Sequence, residues 1–203
     1  MLHQSVVANF NAPMESPMYN TVDVVDLRYH LVNGNAEISV PEDASRYPQI
    51  MFPRMRTPFG IQDQMNATAT SAKNLELEIA EEEFAQFLQA FEARNVNFFT
   101  INSRQYLGRE MSVNDVRSMM NPIILPTKPT DYYSRCRLKV DGDTWIWLQQ
   151  VDGSFIRGGI CDVRARRDLQ VTVAPKVYKI HGRGGQKSKC GVTLRCLEIR
   201  VLQ

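Results

Sequence analysis

The chain has 203 residues, 43% of them hydrophobic and 23% charged, which is ordinary for a globular protein and fits one domain with some elaboration. No apolar run approaches the ~20 residues of a membrane helix. The start, Met1-Leu2-His3-Gln4-Ser5, lacks the basic opening and apolar stretch of a secretory signal, so a soluble, intracellular protein with no membrane partner is expected.

The net charge of +2 hides an asymmetry. From Asp131 onward there are fourteen Lys and Arg against seven Asp and Glu, while the first 130 residues carry ten against fifteen. A basic C-terminal third suggests a polyanion partner, of which nucleic acid is the commonest; a plain solvated basic face is the alternative. The four cysteines (Cys136, Cys161, Cys190, Cys196) form no C-x-x-C pair and the histidines number only three, so no metal site is expected. Cys136 and Cys196 read as small buried hydrophobes in a reducing compartment.

Residues 1–50 are mixed. Val22–Leu27 reads as a strand, and Val32–Val40 contains Asn33-Gly34, a hairpin-type dipeptide. Pro48–Ile61 holds three prolines and a glycine and should be an ordered loop. Its Arg54 and Arg56 make it either a ligand-contacting loop or a packed connector. Gln62–Ser71 has linker composition. Lys73–Ile79 alternates Leu75, Leu77 and Ile79 with Glu76 and Glu78, as a half-buried strand does. The carboxylates of Glu76–Glu83 are explained there by solvation and by the helix dipole.

Glu81–Ala93 predicts the clearest helix, with Phe84, Phe87, Leu88 and Phe91 at i, i+3, i+4 and i+7 and glutamates in the first turn. That stripe reads as core packing, not a cofactor pocket. A shorter helix starts at Ser112, with Asp115 as its capping-box partner, and ends before Pro122; Val113, Val116, Met119 and Met120 form its buried side.

Beyond Pro122 the pattern is β, with strands expected at Arg135–Val140, Thr144–Gln150, Ser154–Cys161, Leu169–His181 and Gly191–Leu202. Pro175 marks an edge, a bulge or a change of sheet. In the last strand Val192, Leu194 and Cys196 share one side and Leu197, Ile199 and Val201 the other, which implies a β-bulge or the coiling of a small barrel. His181–Lys189 is a glycine-rich basic loop. It lacks the Walker spacing and a following helix, and reads either as a phosphate-contacting loop or as a solvated tip.

Arg135–Gln149 is the most informative stretch. Around a loop at Asp141–Asp143 it reads as a hairpin in which Val140 pairs with Thr144, Leu138 with Ile146 and Cys136 with Leu148. The other face then sets Lys139 opposite Trp145, Arg137 opposite Trp147 and Arg135 opposite Gln149. Binders of single strands combine cations for phosphates with aromatic faces for bases. Trp145 and Trp147, about 7 Å apart along a strand, would stack bases, and Arg135, Arg137 and Lys139 would meet phosphates. Tyr132 and Tyr133 precede them. Arg157, Lys176, Tyr178, Lys179, Arg183, Lys187 and Lys189 extend the path if the sheet curls. The alternative is that the Phe84 helix or the N-terminal segment covers the indoles.

No G-x-S-x-G, H-E-x-x-H or EF-hand spacing occurs, and no nucleophile, base or metal constellation, so neither an enzyme nor a cofactor is expected.

Four runs in order carry a resemblance: Pro53-Arg54-Met55-Arg56-Thr57-Pro58-Phe59-Gly60-Ile61; Leu75-Glu76-Leu77; Asn102-Ser103-Arg104-Gln105-Tyr106-Leu107-Gly108; and Lys189-Cys190-Gly191-Val192-Thr193-Leu194-Arg195. Over roughly residues 48–202 the chain resembles the single-stranded-DNA-binding proteins of algal large DNA viruses. Those are similar in turn to the replication single-stranded-DNA-binding proteins of short-tailed bacteriophages. The resemblance implies a mainly β chain with α additions: an OB-fold-like five-stranded barrel with inserted helices over 48–203, behind an N-terminal extension, partly β, at 1–47. It also implies binding of single-stranded DNA with little sequence preference in replication, recombination or repair, at a host nuclear or cytoplasmic replication site. Replisome proteins and homo-oligomers remain open as further partners. The acidic, aromatic-ended tail of the phage proteins has no counterpart in Arg200-Val201-Leu202-Gln203. The competing function is a virion or scaffold β-barrel protein whose basic face meets a protein partner; a duplex or RNA binder is a third.

Overall fold

A computed structural model describes residues 27–32, 35–39, 48–63, 71–127, 132–182 and 188–203. The strand expected at Val22–Leu27 falls outside the described residues except for Leu27, as do Asn33-Gly34, residues 64–70 of the linker, and the loop cations Arg183 and Lys187.

β1 (Arg28–Val32) and β2 (Asn35–Ser39) pair antiparallel with Val32 opposite Asn35, as the Asn-Gly dipeptide between them predicts. The proline-rich stretch beyond them is less of a loop than its composition suggests. It contributes β3 (Ile50–Met51), β4 (Met55–Thr57) and β5 (Ile61–Gln62), with β3 and β4 laid antiparallel on β11 (Arg167–Ile180). β6 (Lys73–Ile79) follows as expected.

The first helix, α1, runs over Glu82–Ile101, two turns past its expected end. Asn95, Val96 and Phe99 continue the buried stripe of Phe84, Leu88 and Phe91. Arg94-Asn95-Val96-Asn97 is a weak helix former, but docking overrides propensity there. Asn95 is buried by accepting the Tyr29 hydroxyl at 2.7 Å, and Arg94 donates to the Leu27 carbonyl at 3.0 Å. α2 (Ser103–Leu107), not foreseen, closes on Gly108 at φ 82, the left-handed C-cap that glycine adopts without strain. α3 (Val113–Met119) carries the Ser112–Asp115 capping box, and of its expected inner side Val116 is buried while Val113 is 45% exposed.

β7 (Ile124–Leu125), β8 (Ser134–Val140), β9 (Trp145–Gln149), β10 (Phe155–Arg157), β11 and β12 (Lys189–Val201) complete the sheet. β10 ends sooner than Ser154–Cys161 because the Gly158-Gly159 pair leads into a 3-10 turn at Ile160–Asp162.

Main-chain pairing closes five stretches into a barrel. The run from Met55 to Gln62 is the first, its β4 half on β11 and its β5 half on β6. β6 is the second and β8 continued by β9 the third; β11 is the fourth and β12 the fifth. Neighbours follow one–two–three–five–four–one, with three and five parallel and the other pairs antiparallel. That order is the Greek-key barrel of the OB-fold. The inserted helices lie between the second and third stretches.

The order corrects one expectation. β8 and β9 are not a hairpin. Both run parallel to β12 along the same edge, Leu138 beside Leu194 and then Ile146 beside Ile199. Asp141–Thr144 is an outward jog in one continuing strand, tied by Thr144 N–H to the Asp141 carbonyl at 3.2 Å and by the Thr144 hydroxyl to the Cys196 carbonyl at 3.0 Å. Leu138–Ile146 and Cys136–Leu148 are therefore not cross-strand pairs. The β9–β10 connection is a true hairpin, with Phe155 opposite Gln149 and Arg157 opposite Trp147.

The face switch in the last strand is a bulge. Val173 pairs with Cys196 and Thr172 with Glu198, so Leu197 is the extra residue. Buried positions accordingly change parity from Cys190, Val192, Leu194 and Cys196 to Ile199 and Val201. Pro175 sits in register opposite Leu194, beyond the reach of β3, where its missing N–H removes nothing from the outer edge. Inside lie Leu75, Leu77, Leu138, Val171 and Ile199, with Phe52 meeting Phe84 of α1 edge-on at 4.7 Å. Burial pushes the Cys136 thiol up to about 12, the state of an inert core cysteine.

Candidate nucleic-acid interface

Although the pairing differs, the faces fall where parity sets them. Trp145 lies six positions after Lys139, an even offset, so the outward side is kept through the jog. Asn74, Glu76 and Glu78 stand opposite Lys139, Arg137 and Arg135 in the β6–β8 register. Trp145 and Trp147 stand beside Glu198 and Arg200 of β12, with Arg157 of β10 on the other flank.

The two indoles lean together, centroids 5.7 Å apart and planes 20° from parallel. The Arg157 guanidinium lies 4.2 Å from the Trp145 ring and 5.6 Å from that of Trp147. Trp145 is 38% exposed and Trp147 half-buried. α1 does not cover them: its buried stripe packs toward Phe52, β6 and β12. Next to this stack, Arg200 bonds Glu198 at 2.5 Å and lies 5.5 Å from the Phe155 ring.

The cations of β8 have acquired partners. Glu76, expected on a solvated face, is only 8% exposed and binds both Arg135 (2.8 Å) and Arg137 (2.8 Å). Arg135, with 12% of its side chain exposed and its guanidinium 5.4 Å from the Phe59 ring, lies within the face, whereas Arg137 is 43% exposed. Lys139 donates to Asn74 Oδ1 at 2.7 Å, and burial first, then the charge of Arg137, pull its ammonium below the ordinary lysine value. Arg195, opposite Lys139 on β12, is held by Asp141 and Asp143 at 2.5 and 3.0 Å. Sequence reading left the pairing role of Arg195 unseen, because those partners are 52 or more residues distant.

The remaining sites scatter. Lys176 and Tyr178 pair with Thr193 and Gly191 and so share the outward side with Arg195. The Tyr178 ring lies flat on Gly191, where a Cβ would sit 3.0 Å from its oxygen, and that oxygen accepts the Asn121 N–H at 2.9 Å. Lys179 has the opposite parity and turns to the Tyr106 carbonyl and ring on α2. Lys189 donates to Asn121 Oδ1 at 3.2 Å. Tyr132 is 98% exposed and Tyr133 49%, on the approach to β8. Arg54 and Arg56 are joined to Asp168 across the β4–β11 pair at 2.8 and 3.0 Å. Partial burial raises the Asp168 carboxyl, and the hydrogen bonds and charges of Arg54 and Arg56 more than reverse this, leaving it below the ordinary value. Among the described residues no group of His, Cys, Asp and Glu is placed to hold a metal, and no helix is long and apolar enough to cross a membrane.

The class these features define is an OB barrel with an aromatic, cation-bearing face on its second and third strands. No family model and no curated protein matches the chain. Among solved structures it is similar to a C-terminally truncated single-stranded DNA-binding protein of bacteriophage Enc34, at 8% identity and TM-score 0.49, over 88% of this chain and 96% of that one. It is also similar to gp2.5, a single-stranded DNA-binding protein encoded by bacteriophage T7, at 9% identity and TM-score 0.49, over 78% and 87%. The Enc34 protein in complex with single-stranded DNA aligns at 8% identity and TM-score 0.46, over 75% and 85%.

Proposed function

We propose that the chain binds single-stranded DNA without strong sequence preference, through the outward face of β6, β8 and β9, and protects it in replication, recombination or repair. The observation that carries this is the Trp145–Trp147–Arg157 stack on the second- and third-strand face of an OB barrel, the surface on which that fold takes oligonucleotides. The domain is residues 48–203, with 1–47 an extension whose β1–β2 hairpin braces α1. The reading is of an intracellular binding protein, not an enzyme, and the sequence resemblance to algal-virus proteins is consistent with it.

The chemistry is an exchange. An arriving base takes the place of Arg157 on the Trp145 ring, trading a cation–π contact of about 0.5–1 kcal/mol for stacking of about 1–3 kcal/mol. The released guanidinium then meets the adjoining phosphate. Arg137 uses Nε and Nη2 on Glu76, which leaves Nη1 for a second phosphate. Glu76 thus acts as a spring clip, holding two arginines in place before the strand arrives. Because every base has a π face, this mode reads little sequence.

Oligo-dT should quench tryptophan fluorescence, with affinity falling steeply as salt rises. Unchanged fluorescence together with no gel shift at low salt would refute the reading. The carboxylates on the face, Glu76, Glu198, Asp141 and Asp143, favour a second reading, a virion or scaffold protein using this face for a protein partner. Equal binding of heparin and single-stranded DNA, indifferent to loss of either indole, would select it.

A further inference from the structure

On the β4–β11 side of the barrel, β4 and the start of β11 bring five exposed arginines together: Arg54, Arg56, Arg164, Arg166 and Arg167. Main-chain pairing pins them. Arg56 stands opposite Asp168 and Thr57 opposite Arg167, Gly60 bridges to Arg164, and the Arg166 N–H donates to the Thr57 carbonyl at 2.7 Å. The counter-charge is small. Asp168 serves Arg54 and Arg56, and the Asp162 carboxylate accepts the Gly159 amide at 2.8 Å. Among the described residues no carboxylate pairs with Arg164, Arg166 or Arg167.

Packing like charges this closely is unfavourable without an anion nearby. Arg166 also sits at φ 61, the only positive φ outside glycine among the described residues. Glycine would be unstrained there and an L side chain is not, so the position keeps an arginine at a conformational cost. The corner is also joined to the indole face. Phe59, 48% exposed and three residues beyond Arg56, lies under the Arg135 guanidinium at the near end of β8.

We infer that this corner is a second phosphate-anchoring site for the same nucleic-acid strand, which passes from the indoles along β8, over Phe59 and onto Arg164 and Arg166. The inference rests on the single-strand reading above and adds a length to it. Short oligonucleotides occupy the indole face alone, and longer ones also take the corner.

The test compares oligo-dT of about 4 and about 20 nucleotides, the first at the lower end of an OB barrel's footprint and the second beyond its upper end, on the full chain and on Arg166→Gly and Arg164→Ala/Arg166→Gly variants. Binding of the short oligonucleotide should be unchanged. For the long one, the double variant should lose about 1.4 from its log K against log salt slope, about 0.7 per phosphate contact, and roughly tenfold in affinity at low salt. Arg166→Gly should melt no lower than the parent, since it relieves the positive φ. Unchanged long-oligonucleotide slope in the double variant, while the parent binds both lengths, overturns the corner alone. Equal weakening at both lengths also overturns it, because a site acting only at a distance would do that. No binding of either length by the parent overturns the single-strand reading itself. Polyglutamate binding that needs Arg164 and Arg166, with long oligo-dT indifferent to them, assigns the corner to an acidic protein instead.

Discussion

Replacing Trp145 by alanine separates the ligand-binding face from the core beneath it. In the parent, a base stacking on Trp145 gains about 2 kcal/mol and forfeits the Arg157 contact, about 0.75 kcal/mol. The variant has neither, so the expected loss is about 1.3 kcal/mol, close to tenfold in Kd. Stability should suffer little. The ring is 38% exposed and stacks on Trp147 at 5.7 Å. An aromatic pair of this kind contributes about 0.5–1.5 kcal/mol, or roughly 1–6 °C in Tm for a domain of this size. The neighbouring Ile146, 2% exposed and pointing inward, provides the contrast. Ile146→Ala should cost about 2–5 kcal/mol of stability and leave binding per folded molecule intact. Fluorescence anisotropy with labelled oligo-dT and thermal melts of both variants give the four numbers. A change in affinity below twofold for Trp145→Ala would refute base stacking on this ring, and a melting loss as large as that of Ile146→Ala would show the ring to be core.

Three further outcomes follow from the geometry. Glu76→Gln removes the carboxylate that neutralises the nearly buried Arg135 and should lower stability by roughly 3 kcal/mol, while oligo-dT binding weakens because Arg135 and Arg137 are no longer held in place; a tighter complex with a steeper salt slope would contradict the clip role. Gly60→Ala should destabilise severely, because a Cβ there would lie 2.4 Å from the Val163 carbonyl oxygen at φ +72, opening the barrel between its first and fourth strands; a melting temperature within about 2 °C of the parent, under 1 kcal/mol for a domain this size, would refute the tight contact. Asp168 has its carboxyl held low in the folded state, so its contribution to stability is present above the ordinary value of 3.8 and is lost as pH falls through the lowered folded value. The melting gap between the parent and Asp168→Asn should therefore narrow only below that ordinary value, and a gap independent of pH would exclude the ion pairs as its cause.

What local sequence determines here is periodic. Alternation placed Leu75, Leu77 and Ile79 inside, and the even spacing from Lys139 to Trp145 kept arginines and indoles on one side whichever strand lies next to them. The parity change across Leu197 announced its bulge, and Ser112 with Asp115 announced a helix start, because a side chain two, three or four residues away is a neighbour in any fold. The proline-rich run at β3 and β4 and the end of α1 depart from local preference for the complementary reason: backbone partners on β11 and packing against Tyr29 override it.

Only the tertiary structure decided who pairs with whom. Asp141–Asp143 looks like a hairpin tip in sequence. β12, some fifty residues later, offers one long edge on which β8 and β9 both pair, and using it avoids leaving that edge open. The same long-range closure brought Glu76 to Arg135 and Arg137, Asp141 to Arg195, and Arg157 onto the indoles. Residue types and spacing set the side of the sheet on which a charge emerges. Whether it meets a carboxylate, a ring or water depends on contacts between residues distant in the chain, which no local period encodes.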